Sequence, residues 1–200
     1  MKGSITIVAF FIAGILIARF IDTPSSVTGD KLTVYALYLL MFLVGISIGS
    51  DKKALQALRQ QDLKLVLVPL ATILGTLAGS VMISFALQGR SITDCLAVGS
   101  GFGYYSLSSI FITQYKGAEL GTIALVSNIM RELIALLAAP LLVRYFGKLA
   151  PISVGGATTA DTTLPIITKF SGKEFVIISI IHGITVDLSV PFLVTFFCTI

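Results

Sequence analysis

The sequence predicts an all-α integral membrane protein, a polytopic bundle of transmembrane helices, and three observations support this fold class. Of the 200 residues, 56% are hydrophobic and only 12% are charged. The mean hydropathy is +0.98, far above the range of water-soluble domains. Uncharged stretches of about 20 residues, the length that crosses the hydrocarbon core as a helix, follow one another along the chain. Residues 1–200 are therefore expected to form a single integral membrane domain.

Apolar stretches separated by charged residues predict about seven membrane segments. They lie near residues 4–18, 32–49, 65–88, 93–115, 119–143, 150–168 and 175–199. The first segment is short and follows a single basic residue, Lys2. Because no small-residue cleavage site follows its apolar core, we interpret it as a helix and not as a signal peptide.

The orientation of these segments is predicted from the loop between segments two and three. This loop, residues 51–64, is the most basic in the chain, and the positive-inside rule places it in the cytoplasm. If every segment crosses the membrane, the C-terminus lies outside, but Arg144 and Lys148 then face outward against the same rule. A re-entrant hairpin at segment four or segment six would change the parity, and the sequence leaves this choice open.

Segment four contains a cluster of glycines and hydroxyl residues at 99–109, where a continuous membrane helix gains from neither type. An interrupted helix fits better. Unpaired backbone is tolerated at membrane depth only where it lines a cavity or is buried in protein, so the break indicates a binding site. A tightly packed, flexible helix is the alternative. The site residues expected here are Gly101, Gly103, Tyr104, Tyr105 and Ser106.

Segment six repeats this composition at 155–165 and adds a carboxylate, Asp161. Pro165 lacks an amide hydrogen, so within a helix it would leave the carbonyl of Asp161 without its usual partner. Four threonine hydroxyls surround the carboxylate and complete a polar cage suited to a cation or an ammonium group. These residues are Thr158, Thr159, Thr162 and Thr163.

Segment five places Arg131 and Glu132 near its centre, where ionisable groups cost about 2.5–3.5 kcal/mol on insertion scales. A stripe of small and polar residues recurs at helical spacing and predicts that Glu132 points into the bundle. Its members are Ala124, Asn128, Glu132, Ala135 and Ala139. The partner of Arg131 is expected to be Asp161 or Asp187, and a buried structural ion pair is the alternative to a functional role.

Segment seven carries a second carboxylate and proline at the same spacing, Asp187 and Pro191, so that the carbonyl of Asp187 is expected to lose its helical partner. His182 lies five positions before Asp187 and on a different helix face, which argues against a proton relay between them. We interpret His182 as a core histidine with satisfied hydrogen bonds.

Other classes of function find little support in the sequence. We expect no enzyme, because no nucleophile is paired with a base, and no metal or other cofactor, because metal-ligand clusters are missing. Cys95 and Cys198 lack metal-ligand spacing and are expected to be packing residues. The net charge of +4 is spread through loops, which disfavours nucleic acid as a partner.

Four of these motifs and a fifth, Phe-Ser-Gly-Lys-Glu at residues 170–174, together resemble the lysine exporter (LysO) family of bacterial inner-membrane proteins. They lie at residues 101–109, 127–132, 155–165, 170–174 and 182–192, and the resemblance covers a core of residues 30–200. It implies a multi-pass inner-membrane transporter that exports L-lysine and its analogue thialysine in exchange for protons. It also implies that Glu132 and Asp161 are the essential intramembrane acids.

The mechanism expected from these residues is competition at an acidic centre. Glu132 and Asp161 would bind the cationic groups of the substrate in one state and protons in another. The helix N-terminus at the break in segment four would receive the substrate carboxylate. Two alternatives remain open: a carrier for another cationic solute, and a channel-like or holin-regulating membrane subunit without coupled transport.

The chain is also expected to work with a partner in the lipid bilayer. Glycine pairs at Gly45 and Gly49 and at Gly75 and Gly79 allow close helix contacts in lipid, although plain packing between helices of the chain is the favoured explanation of this spacing. Longer members of the family that the sequence resembles carry an additional N-terminal membrane block. A homo-oligomer, or a separate small membrane subunit, is therefore predicted.

Overall fold

The computed structural model describes residues 63–87 and 89–200, together with isolated helical positions at residues 13, 16, 19, 35, 39, 42 and 46. Two compact units divide the chain, residues 1–51 and 52–200. Apart from those isolated positions, the predicted segments 4–18 and 32–49 and the basic loop up to residue 62 lie outside the residues that are described.

Eight α-helices account for most of residues 63–200, and no strand occurs among the described residues. The fold is therefore all-α, as predicted. The helices are α1 (Leu63–Ser84), α2 (Ile92–Gly99), α3 (Tyr105–Lys116), α4 (Ala118–Leu137), α5 (Ala139–Phe146), α6 (Ala150–Gly155), α7 (Leu164–Phe170) and α8 (Val176–Thr199). Short 3-10 helices at Gly156–Ala160 and Lys173–Phe175 follow α6 and α7.

Three stretches of these helices are long and apolar enough to cross a membrane: Leu67–Ser84, Ala118–Leu137 and Lys173–Thr199. The protein is therefore a membrane protein. The predicted total of seven segments includes residues outside the described part of the chain and stays a prediction.

The predicted segment four is a re-entrant hairpin, here called hairpin A (residues 92–116). Its two helices, of 8 and 12 residues, would extend about 12 and 18 Å at 1.5 Å per residue if they ran straight on. Instead, Lys116 Nζ lies 3.6 Å from Asp94 Oδ1, and Arg90 pairs with Glu119 just outside the hairpin. Both ends of hairpin A therefore lie at the same end of the bundle.

The predicted segment six is a second re-entrant hairpin, hairpin B (residues 150–170). Helix α6, the 3-10 helix Gly156–Ala160 and α7 follow one another, and Lys148 Nζ lies 3.0 Å from Glu174 Oε1. These two residues flank the hairpin in sequence, so it too returns to the end from which it enters. Because α4 spans 20 residues between the two hairpins, they enter the bundle from opposite ends.

The tips of the two hairpins meet inside the bundle through their backbones. The Ala157 N–H donates to the Phe102 carbonyl at 2.9 Å. Gly156 has φ of +62° and its Cα lies so close to Phe102 that a Cβ would stand 2.0 Å from that carbonyl oxygen. Only glycine can take this conformation and this approach at low cost. The glycines that predict interrupted helices are therefore needed where the two breaks touch.

The two hairpins resolve the conflict in the predicted orientation. Each leaves the parity unchanged, so Arg144 and Lys148 lie at the same end of the bundle as Leu63, where α1 begins. The outward position followed only if segments four and six both cross, and the two hairpins do not meet that condition. Lys169 and Lys173 lie at this end as well, whereas Arg90 and Lys116 lie at the other, so the basic residues now agree with the positive-inside rule.

Helix boundaries differ from the predicted ones at two places. The predicted segment 119–143 is two helices, because α4 ends at Leu137 and α5 begins at Ala139 with Pro140 in its first turn. Proline fits the first turn of a helix but breaks the hydrogen bonds of an interior. Helix α1 ends at Ser84, short of the predicted residue 88, whereas α8 confirms the predicted segment 175–199 closely.

The glycine pair on α1 does not pack tightly in the described part of the chain. A Cβ added to Gly75 or to Gly79 would meet no atom within 4 Å. The close helix contact that their spacing predicts is therefore absent among the described residues, and these glycines leave open space beside α1.

Cysteine labelling tests the proposed topology. In a background with Cys95 and Cys198 replaced by Ala, we expect a membrane-impermeant maleimide to label Glu119→Cys on intact cells. Lys173→Cys should react only after permeabilisation, because the positive-inside rule places its end of the bundle in the cytoplasm. Labelling of both positions from outside would contradict the re-entrant hairpins, and the reverse pattern would invert the orientation.

Candidate functional site

A cavity of about 310 Å³ lies where the two hairpin tips meet α4 and α8. This volume is at the lower end of the range of roughly 300–1,000 Å³ that is typical of small-molecule sites. Four elements form its walls. They contribute Gly103, Tyr104, Tyr105 and Ser106 from hairpin A, Glu132 from α4, Ala157, Thr158, Ala160, Asp161 and Thr162 from hairpin B, and Gly183, Ile184 and Asp187 from α8.

Three carboxylates converge on this cavity from three different elements: Glu132, Asp161 and Asp187. Asp161 is exposed to the cavity, and its Oδ1 accepts hydrogen bonds from the Thr162 N–H at 2.5 Å and the Thr162 hydroxyl at 3.3 Å. Glu132 and Asp187 are half-buried. The sequence predicts all three as site residues, and the structure brings them together.

The charges in the cavity are unevenly distributed. Asp161 follows Ala160, whose nitrogen would stand 2.5 Å from a Cβ on Gly183, one helical turn before Asp187, so Asp161 and Asp187 lie on adjoining walls. Glu132 comes from α4, which makes little contact with α8. The cavity therefore has two carboxylates on adjoining walls and a third on a separate wall.

The N-terminus of α3 forms a further wall. Tyr104 precedes its first turn without a side-chain cap, and the first helical bond runs from the Ser108 N–H to the Tyr104 carbonyl at 3.1 Å. The N–H groups of the first turn have no partner within the helix, and the helix dipole places partial positive charge there. This wall is suited to an anionic group beside the three carboxylates.

Asn128 holds the tip of hairpin A in place. It is 3% exposed, its Oδ1 accepts from the Gly103 N–H at 2.7 Å, and its Nδ2 donates to the Val98 carbonyl at 3.2 Å and to the Ala124 carbonyl at 2.9 Å. The backbone freed by the break is thus paired with an amide side chain of α4. Asn128 supports the cavity wall but does not line the cavity.

His182 holds the tip of hairpin B in a similar way. It is fully buried, with Nδ1 3.1 Å from the Thr159 hydroxyl and Nε2 2.9 Å from the Thr72 hydroxyl of α1. Both ring nitrogens therefore have partners, in agreement with the prediction of a satisfied core histidine. His182 connects hairpin B and α8 to α1.

The prediction that Arg131 pairs with Asp161 or Asp187 is wrong. Its guanidinium is bonded neither to Asp161 nor to Asp187; its Nε donates to the Val154 carbonyl at 2.8 Å and its Nη2 to the Ser153 carbonyl at 3.0 Å. These carbonyls belong to the last turn of α6, which lacks helical partners and carries partial negative charge. Arg131 therefore caps α6 and faces away from the cavity that Glu132 lines.

The threonine cage is only partly as predicted. Thr158 and Thr162 line the cavity, but Thr159 and Thr163 are fully buried behind it. Thr159 donates to the Gly156 and Ser179 carbonyls, and Thr163 donates to the Thr158 carbonyl at 3.0 Å. Two of the four hydroxyls thus stabilise the tip of hairpin B, because its 3-10 turn leaves several carbonyls to be satisfied.

The two prolines differ from one another in their effect. Pro165 lies in the first turn of α7 and not inside a helix, and the Asp161 carbonyl accepts from the Leu164 N–H at 3.3 Å. The expectation of a free carbonyl there is wrong. Pro191 lies inside α8, as predicted, so the Asp187 carbonyl loses its helical partner.

Two glycines allow close packing around the cavity. Gly101 does not line the cavity; it packs against Asn128, whose Nδ2 would stand 2.4 Å from an added Cβ. Gly183 lines the cavity and was missed by sequence reasoning. A Cβ on Gly183 would stand 2.5 Å from the Ala160 nitrogen, so this glycine lets hairpin B approach α8. The sequence did carry a signal for Gly183, because it lies one helical turn before Asp187 and therefore shares a face of α8 with it.

Comparison with known proteins gives the family. The family model described as lysine exporter LysO matches residues 8–198. The chain belongs to the lysine exporter LysO family. This membership confirms the resemblance seen in the motifs, and it supports transport across a membrane as the class of function.

Two relatives are named as lysine exporters. The chain is 36% identical over 163 residues to "Lysine exporter LysO" of Escherichia coli, covering 82% of this chain and 54% of the relative. It is 37% identical over 164 residues to "Putative lysine exporter" of Haemophilus influenzae, covering 82% of this chain and 83% of the relative. The chain thus spans about half the length of the Escherichia coli relative. No solved structure matches.

Proposed function

We propose that this chain exports L-lysine and similar basic amino acids, such as thialysine, by exchange for protons. The observation that carries this proposal is the convergence of Glu132, Asp161 and Asp187 on one cavity between two broken helices. Membership of the lysine exporter family supports lysine as the solute. Ionisable groups are costly at membrane depth, and a group of three that lines a cavity fits a pathway for cations.

Competition between cations and protons would provide the coupling. The three carboxylates bind the ammonium groups of lysine when ionised and release them when protonated. Arg131, the neighbour of Glu132, is held by the carbonyls of Ser153 and Val154 and does not neutralise the cavity. A cation that enters therefore replaces bound protons, and the two fluxes run in opposite directions.

The carboxylate of lysine would lie at the N-terminus of α3. Its first-turn N–H groups and the Ser106 side chain face the same cavity as the acids. Helix N-termini bind anionic groups in this way in other transporters with broken helices. Lysine would thus be held at its ammonium groups and at its carboxylate by different walls.

The same proposal places the protein in the bacterial inner membrane as a multi-pass antiporter without enzymatic activity. It works with a second copy or with a separate small membrane subunit, which is the role that we expect for faces of the bundle with small residues. The open space beside Gly75 and Gly79 is one such face in the described part of the chain.

Counterflow distinguishes this proposal from its alternatives. In proteoliposomes that contain unlabelled lysine, we expect external labelled lysine to accumulate transiently, because a carrier exchanges solute across the membrane. In vesicles loaded with labelled lysine, an inward-directed proton gradient should increase lysine efflux, because protons enter as lysine leaves. A channel-like subunit would give equilibration without accumulation, and a carrier for another cation would ignore lysine; either result contradicts the proposal.

A further inference from the structure

The cavity contains more negative charge than one lysine molecule neutralises. Three carboxylates line it, and no Lys, Arg or His side chain is among the lining residues that the structure describes. Arg131, the neighbour of Glu132 in sequence, donates to the backbone carbonyls of Val154 and Ser153 and does not line the cavity. A lysine with two ammonium groups and one carboxylate brings a net charge of only one.

The groups that could hold a carboxylate in the cavity are few. The Gly103 N–H is taken by Asn128, and the Thr158 hydroxyl donates to the Gly155 carbonyl at 2.9 Å. The Thr162 N–H and hydroxyl both point to Asp161. Apart from the hydroxyls of hairpin A, the first turn of α3 is left for an anionic group, and it supplies only a partial charge.

The negative charge is divided between two places. Asp161 and Asp187 lie on hairpin B and α8, which pack together at Gly183, whereas Glu132 lies on α4, which makes little contact with α8. A linear molecule with a cationic group at each end matches this division, since each end meets a carboxylate of its own. The carboxylate of an amino acid adds one contact and also adds repulsion from the acids.

We infer that the cavity selects its ligand by two cationic ends, and that linear diamines without a carboxylate are a second class of substrate. This inference rests on the proposed function, because it concerns the same cavity. Glu132 binds one ammonium group and the Asp161 and Asp187 pair binds the other. The chain between the two ends passes the apolar atoms of Ala157, Ala160 and Ile184.

The test compares three ligands of similar length on the full chain: lysine, 1,5-diaminopentane and 1-aminopentane. Thermal stabilisation of the purified protein reports binding, and inhibition of labelled lysine counterflow in proteoliposomes reports use of the transport site. We expect the diamine to act at least as strongly as lysine and about tenfold more strongly than the monoamine, the ratio that corresponds to one moderate contact. Labelled diamine should also exchange against internal lysine.

A matched pair of substitutions tests whether Glu132 binds one of the two ammonium groups of the diamine. Glu132→Gln should remove most of the difference between diamine and monoamine, whereas Glu119→Gln, in the exposed pair with Arg90, should leave it unchanged. If lysine exchanges but the diamine binds no better than the monoamine, the inference is overturned and the proposed function stands. If lysine does not exchange, the proposed function fails, and the binding measurement alone still decides whether two cationic ends are recognised.

Discussion

Replacing Asp161 with Asn, or Glu132 with Gln, is expected to reduce lysine export by roughly a hundredfold, because each change removes charged contacts worth about 2–3 kcal/mol. Both side chains line the cavity, and each amide keeps nearly the shape of the acid. The measurement is export of labelled lysine from loaded cells, at expression levels matched by immunoblot. Asp187→Asn should also reduce export, because Asp187 lines the same cavity as Asp161.

An acid outside the cavity serves as the control for this prediction. Glu119 pairs with Arg90 beside hairpin A, and its side chain is 79% exposed. Exposed ion pairs contribute only about 0–1 kcal/mol, so Glu119→Gln should export normally. Near-normal export by both Asp161→Asn and Glu132→Gln would remove the acidic centre from the mechanism.

Replacing Gly156 with Ala is expected to abolish export and to lower the thermal stability of the purified protein. The backbone at Gly156 has φ of +62°, and an added Cβ would stand 2.0 Å from the Phe102 carbonyl oxygen. A left-handed backbone costs an alanine about 1–2 kcal/mol. The contact with a backbone oxygen adds to this, because neither hairpin tip can move without breaking the bond from Ala157 to Phe102.

The control for this change is Gly79→Ala on α1. Gly79 lies in a regular helix with open space beside it, and alanine favours a helix over glycine by about 1 kcal/mol. We expect this variant to be at least as stable as the parent chain. A Gly156→Ala protein with the same unfolding temperature as Gly79→Ala would show that the hairpin tips are not in tight contact.

Local composition was enough to predict the membrane helices and the breaks. Long uncharged stretches have one stable form in lipid, since a helix satisfies its own backbone hydrogen bonds. Glycine and hydroxyl clusters at membrane depth oppose that form, so both interruptions were visible in the sequence. The stripe that contains Asn128 and Glu132 also faced the bundle as predicted, because helical periodicity fixes which residues share a face.

The partners of single side chains could not be predicted in the same way. Arg131 was expected to bond to a carboxylate, yet it caps α6 through the carbonyls of Ser153 and Val154. Which carbonyls lack a helical partner depends on the residue at which the broken helix ends, and the sequence does not fix that residue. Pro165 was placed inside a helix, but it begins α7, so the carbonyl of Asp161 finds the Leu164 N–H.

The sequence by itself determined that this is a helical membrane protein with two broken segments and with acids at membrane depth. Hydropathy, glycine content and the cost of burying charge are local properties, and they act on each segment separately. Only the tertiary structure decided that both broken segments turn back, that their tips meet at Phe102 and Ala157, and that three carboxylates share one cavity. These features depend on contacts between residues far apart in the chain, where close approach at glycines and pairing of freed backbone groups select one arrangement.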